Sequence, residues 1–118
     1  MSAPRLLFLV TDDRYFVSHR LPMARAARQA GFEIHVATKV TDAAKTIDKD
    51  GFTFHALGWD KEARSVFDLL RDAWEIRRLY KDLKPDIVHH VALAPVILGQ
   101  IAAIGLGIKS INTIAGLG

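Results

Sequence analysis

Hydrophobic and polar positions along this chain fall into a repeated alternation of strand-like and helix-like segments. Residues 5–11, Arg5-Leu6-Leu7-Phe8-Leu9-Val10-Thr11, form a short continuous apolar run, the pattern of a strand buried on both faces. An alanine-rich helix follows, with Ser18 or a neighbour as its cap and Pro22 in its first turn, where a missing N–H is tolerated. Gly31 offers a left-handed stop. Residues 33–38 alternate and read as a second strand. Thr41-Asp42 caps a short polar helix over residues 41–50, and residues 52–57 read as the third strand. A longer helix is expected over residues 65–83, with an apolar stripe of Val66, Leu69, Leu70, Ala73, Trp74, Ile76, Tyr80 and Leu83 that keeps close to the helical period. Lys84-Pro85 breaks it. Residues 86–91 are the fourth strand, Pro95 opens a helix that is apolar on nearly every side except Gln100, and residues 108–114 are the fifth strand.

Strand and helix in strict alternation require parallel strands joined by right-handed crossovers. The expected fold class is therefore α/β, a Rossmann-like three-layer domain whose parallel five-stranded sheet has the order 3-2-1-4-5. Neither an internal repeat nor a low-complexity linker interrupts it. The chain stops at the mouth of the fifth strand, so residues 1–118 read as one domain cut from something longer.

Composition changes this picture little. Half of the 118 residues are hydrophobic and 25% are charged, ordinary for a domain able to bury its own core. There is no cysteine, hence no disulfide framework and no thiolate ligand or nucleophile. No run approaches the roughly 20 apolar residues that span a bilayer, and the first strand is too short for the apolar region of a secretory signal. A cytoplasmic location is the default expectation.

Charge is more informative in its distribution than in its sum of +3. Residues 14–32 hold four arginines and no acid, and residues 61–84 hold seven bases and five acids. A basic face attracts phosphate, anionic lipid or nucleic acid; a solvated helical face is the plain alternative. Nucleic acid is the weakest of these. Binding without sequence preference needs a contiguous cationic track with aromatics to stack on, and here acids interrupt the bases.

In the order 3-2-1-4-5, the first and fourth strands flank the crevice where such sheets bind ligands, outside their carboxyl ends. The segment leaving the first strand, residues 12–20, contains Asp12, Asp13, Arg14, Tyr15, His19 and Arg20 but no glycine. A dinucleotide site would need glycines there to let the backbone approach a pyrophosphate. The chemistry is that of a polar-substrate site. At about 100° per residue, Arg20 shares a stripe with Met23, Ala27 and Ala30, so it is expected to point at the sheet. A guanidinium there needs an anionic partner: Asp12, Asp13 or a ligand phosphate.

His89 and His90 leave the fourth strand and, being consecutive, face opposite ways. They do not suit one metal ion, and no third ligand is suggested. A packed, hydrogen-bonded histidine is the plain reading of at least one. A phosphoacceptor receiver domain shares the length, the strand order, an acidic pair and a Lys84-Pro85-Asp86 lead into a strand, but residues 52–57 lack the aspartate that would take the phosphate.

Residues 16–24, Phe16-Val17-Ser18-His19-Arg20-Leu21-Pro22-Met23-Ala24, then residues 31–38, Pro85-Asp86-Ile87-Val88-His89-His90-Val91 and the closing Gly116-Leu117-Gly118 together resemble the amino-terminal domain of family 4 glycosyltransferases. The nearest subgroup is that of bacterial enzymes extending lipid-linked glycans for surface polysaccharide or protein glycosylation. The resemblance implies the acceptor-binding half of a GT-B enzyme, with the nucleotide-sugar donor held mostly by a second domain. It implies a glycan or lipid-linked glycan acceptor, an approach to the anionic inner face of the cell membrane, and no nucleic acid. It further implies hexosyl or N-acetylhexosaminyl transfer with retention of anomeric configuration and without metal or other cofactor. By position, Asp12, Asp13, Arg14, His19, Arg20, His89, His90, Gly116 and Gly118 would line the acceptor side. The chain departs from the family pattern at Ala94, where several relatives have lysine, and at Ala115, acidic in some.

Overall fold

The computed structural model describes residues 3–39, 51–57 and 65–113, with the side chains of Asp12, Asp13 and Tyr15 outside that description. Strands β1 (Arg5–Asp12), β2 (Glu33–Lys39), β3 (Thr53–Ala56), β4 (Ile87–Val91) and β5 (Lys109–Thr113) form one sheet. Its order is β3-β2-β1-β4-β5 and every neighbouring pair is parallel. This is the expected Rossmann-like α/β arrangement. Because side chains alternate across a strand, β1 feeds two cores. Leu7 and Leu9 pack with the long helix α3 (Val66–Leu83) and with α4 (Leu93–Ala102), whereas Leu6, Phe8 and Val10 pack with α1 (Asp13–His19) and α2 (Leu21–Gln29).

The first helical segment differs from expectation. It begins at Asp13, directly from the strand, and is interrupted at Arg20 (φ −119°, ψ −8°) before α2 starts at Leu21. Pro22 has no N–H to donate to the Ser18 carbonyl, so the chain bends there although Arg20 N still donates to Phe16 O at 2.8 Å. Ser18 is thus inside α1 and caps nothing. The break also rotates the phase. Leu21 and Ala24 are buried, while Met23, expected to face the sheet, is exposed. Gly31 does end the segment, at φ +106°.

Ser65 caps α3, its Oγ accepting from Asp68 N at 3.1 Å, and Lys84 ends it in the left-handed conformation. Only part of its expected stripe is buried. Ala73, Ile76, Tyr80 and Leu83 lie against the sheet; Val66, Leu69, Leu70 and Trp74 do not. Helix α4 opens at Leu93, two residues before Pro95. The helix expected over residues 41–50 lies outside the described residues.

Candidate functional site

The crevice is built where β1 and β4 run side by side, Phe8 beside His89 and Leu9 beside His90. As consecutive strand residues, the two histidines serve different faces. His89 lies on the α1/α2 side, its ring 5.4 Å from that of Phe8, and Nε2 stands 2.7 Å from Thr113 Oγ1 at the end of β5. Burial holds its pKa below the ordinary value, and the positive charge of Arg20 and the neighbouring His90 act in the same direction. A neutral imidazole both donates and accepts.

Arg20 reaches this side from the α1–α2 break. Its Nε is buried, and it is the one buried side-chain polar atom among the described residues with no hydrogen-bond partner. A buried donor without a partner costs about 1–3 kcal/mol, so the site is built at some expense. His19, in the last turn of α1, and Arg14, in its first, are exposed. Arg20 is thus close enough for its charge to act on His89, whereas Arg14 and His19 lie on the surface of α1. Gly116 and Gly118 lie outside the described residues, as do the side chains of Asp12 and Asp13.

His90 is different. It is fully buried on the α3/α4 side, with Nε2 2.7 Å from Tyr80 Oη and Nδ1 2.8 Å from Asn112 Oδ1. Both ring nitrogens are occupied and Gly99 packs directly on the ring. Of the two histidines, this is the packed one, and no part of it faces the crevice. Its Asn112 and Tyr80 partners were missed in the sequence. The available signal was the polar Asn112, which the parallel register sets beside His90.

Between β4 and α4 the backbone takes an unusual turn. Ala92 has φ +82° and ψ +164°, a region that glycine tolerates and other residues seldom adopt. Its N–H donates to Thr113 O at 2.8 Å, tying the ends of β4 and β5 together at the rim. Nothing in the sequence marks this, since the residue is not glycine.

A parallel sheet of this order, flanked by helices on both faces, defines a Rossmann-like domain. Residues 5–118 match the family described as Glycosyl transferase 4-like. The chain belongs to that family. Its fold is similar to that of a glycosyltransferase from Rickettsia africae ESF-5 (TM-score 0.76, 18% identity, covering 98% of this chain and 31% of that one). It is also similar to MurG of Acinetobacter baumannii (TM-score 0.73, 18% identity, 92% and 34%). A UDP-N-acetylglucosamine 2-epimerase shares the fold as well (TM-score 0.71, 18% identity, 98% and 34%). The chain thus spans about a third of the length of each. No curated protein matches it in sequence.

Proposed function

We propose that this chain is the acceptor-binding half of a glycosyltransferase that moves a sugar from a nucleotide-sugar to a glycan or lipid-linked glycan. The carrying observation is the buried, unpartnered Nε of Arg20 at the α1–α2 break, from which the Arg20 charge acts on His89 at the end of β4. A guanidinium donor held there without a partner suits an oxygen of an incoming acceptor, either a sugar hydroxyl or a phosphate oxygen. His89 is kept neutral by burial, and with Nε2 engaged by Thr113 its Nδ1 is the nitrogen that would meet a sugar hydroxyl.

In this reading Arg20, with Asp12 or Asp13, orients the acceptor. Arg14 and His19 contribute from the exposed side of α1, and Gly116 and Gly118 belong to the adjoining loop. His90 is left out, because both of its nitrogens are committed to Tyr80 and Asn112. The donor is bound mostly by a second domain, in keeping with a chain that spans about a third of its structural relatives. The reaction is retaining hexosyl or N-acetylhexosaminyl transfer in polysaccharide biosynthesis, at the cytoplasmic face of the membrane.

The test is Arg20→Ala and His89→Gln in the protein carrying both halves. Loss of turnover with an unchanged melting temperature supports the site. If Arg20→Ala instead lowers the melting temperature while activity persists below it, Arg20 only braces the α1–α2 break.

A further inference from the structure

A row of titratable side chains lies away from the crevice, at the β2–β3 edge of the sheet. Arg5 Nε of β1 stands 3.0 Å from Glu33 Oε2 of β2, and the same oxygen lies 2.6 Å from His35 Nε2. On the other side of that ring, His35 Nδ1 lies 2.9 Å from His55 Nε2 of β3. The parallel register sets Ala37 beside His55 and Thr53 beside His35, so the two imidazoles are diagonal neighbours on one face. That face is the α3 side, since Ala37 and Leu57, two residues further along each segment, pack with α3. His35 is 5% exposed, whereas His55 borders a depression that it shares with Glu75, Arg78 and Asp82 of α3.

Counting protons limits what this row can hold. An ionised carboxylate only accepts, so His35 Nε2 keeps its hydrogen and donates to Glu33. The bond between the rings then needs a single hydrogen, owned by either His35 Nδ1 or His55 Nε2. With one positive charge on the pair that condition is met: His35 donates from both nitrogens and His55 accepts. With a second charge, each ring presents an N–H to the other, and two imidazolium groups meet across 2.9 Å. No arrangement of hydrogens keeps the bond in that state. A metal ion between the same nitrogens is the poorer reading, because no group of three His, Cys, Asp or Glu among the described residues is arranged to hold one.

We propose that the His35–His55 pair is an acid-sensitive latch on the edge strand β3, closed while the pair carries at most one positive charge and opened by a second. β3 spans only Thr53–Ala56 and pairs with β2 at the edge of the sheet, so one lost tie weighs on it more than on a central strand. The surrounding charges decide where the second proton goes. Glu33, itself held by Arg5, favours charge on His35. His55 takes the second proton, with Glu75 and Asp82 favouring it from α3 and Arg78 opposing it. Burial, then the neighbouring His35, holds His55 below the ordinary 6.5. The latch is therefore fully closed above that pH and opens as pH falls through the lowered folded value. This inference stands apart from the acceptor reading, since β3 supplies none of the residues assigned to the acceptor.

Native-state amide exchange tests it, read at Phe54, His55 and Leu57 in wild type and His55→Gln at matched pH between about 8 and about 5. Glutamine can still bond His35 but cannot take up the proton, and losses common to both proteins, such as those from His89 and His90, cancel. Once the second proton binds, wild-type protection of these amides is expected to fall about ten-fold more per pH unit than the variant's. Imidazole nitrogen shifts of the wild type follow the same titration, and the second ring is expected to become protonated as β3 opens. Equal pH dependence in the two proteins overturns the proposal. So does an unprotected β3 at the upper pH, or two imidazolium rings with β3 still protected. Should the glutamine variant fail to fold, these last two readings on the wild type decide it.

Discussion

Tyr80 Oη and His90 Nε2 stand 2.7 Å apart in the interior, joining α3 to β4. Burial raises the phenol well above its ordinary pKa, so the hydroxyl keeps its proton and donates. Nε2 accepts, and Nδ1–H is left to donate to Asn112 Oδ1 at 2.8 Å. One tautomer satisfies the whole chain of groups. Tyr80→Phe leaves the fully buried Nε2 without a partner, at a cost of about 1–3 kcal/mol. A melting temperature lowered by several degrees is expected, with the fold otherwise kept.

Gly99 makes room for that imidazole. A methyl group there would overlap Cδ2 and Nε2 of His90, with Leu9 Cδ2 only 3.0 Å away. In an open helix Gly→Ala stabilises by about 1 kcal/mol. Here Gly99→Ala is expected to destabilise, since overpacking costs about 1–3 kcal/mol and the ring cannot retreat without breaking its two hydrogen bonds. The sign of the change in a denaturant titration is the readout.

Ala92 predicts the opposite sign. Its φ of +82° is a conformation that costs a residue with a Cβ about 1–3 kcal/mol. Glycine removes that strain but adds freedom to the unfolded chain, which offsets about 0.5–1 kcal/mol. Ala92→Gly is therefore expected to raise the melting temperature slightly or leave it unchanged, whereas Ala92→Val should lower it.

The histidines set an acid limit on stability. Burial lowers the pKa of His89 and His90 in the folded state from the ordinary 6.5. The unfolded chain then binds protons first as pH falls, so these groups favour folding fully above about pH 6.5 and progressively less as pH drops toward their folded values. Glu33, whose pKa is lowered first by its hydrogen bond to His35, adds a second loss below its ordinary 4.5. Melting temperature measured against pH should fall in two stages. His90→Gln should flatten the upper one relative to a wild type compared at the same pH.

Much of the architecture was legible along the chain. Five short apolar segments separated by helical ones leave few topologies once crossovers are right-handed, and the β3-β2-β1-β4-β5 order follows. The crevice was legible for the same reason, because topology alone puts the ends of β1 and β4 together. That His89 and His90 face opposite ways came from the strand period; which of them meets the crevice did not. Tyr80, Asn112 and Gly99 enclose His90 from segments distant in sequence.

Other features needed the packed molecule. A helical period says which residues share a face, but not how far a sheet extends beneath that face. Val66, Leu70 and Trp74 therefore looked like core and are surface. One missing N–H at Pro22 shifted the phase of α2, buried Leu21 and Ala24, and left Arg20 at the break, its charge acting on His89. Ala92 holds a conformation its own side chain disfavours, and its amide bonds Thr113 across the rim. Local patterns report the preferences of short segments. Partners and exposure are set by contacts between segments far apart in the chain, and those exist only once the sheet has brought them together.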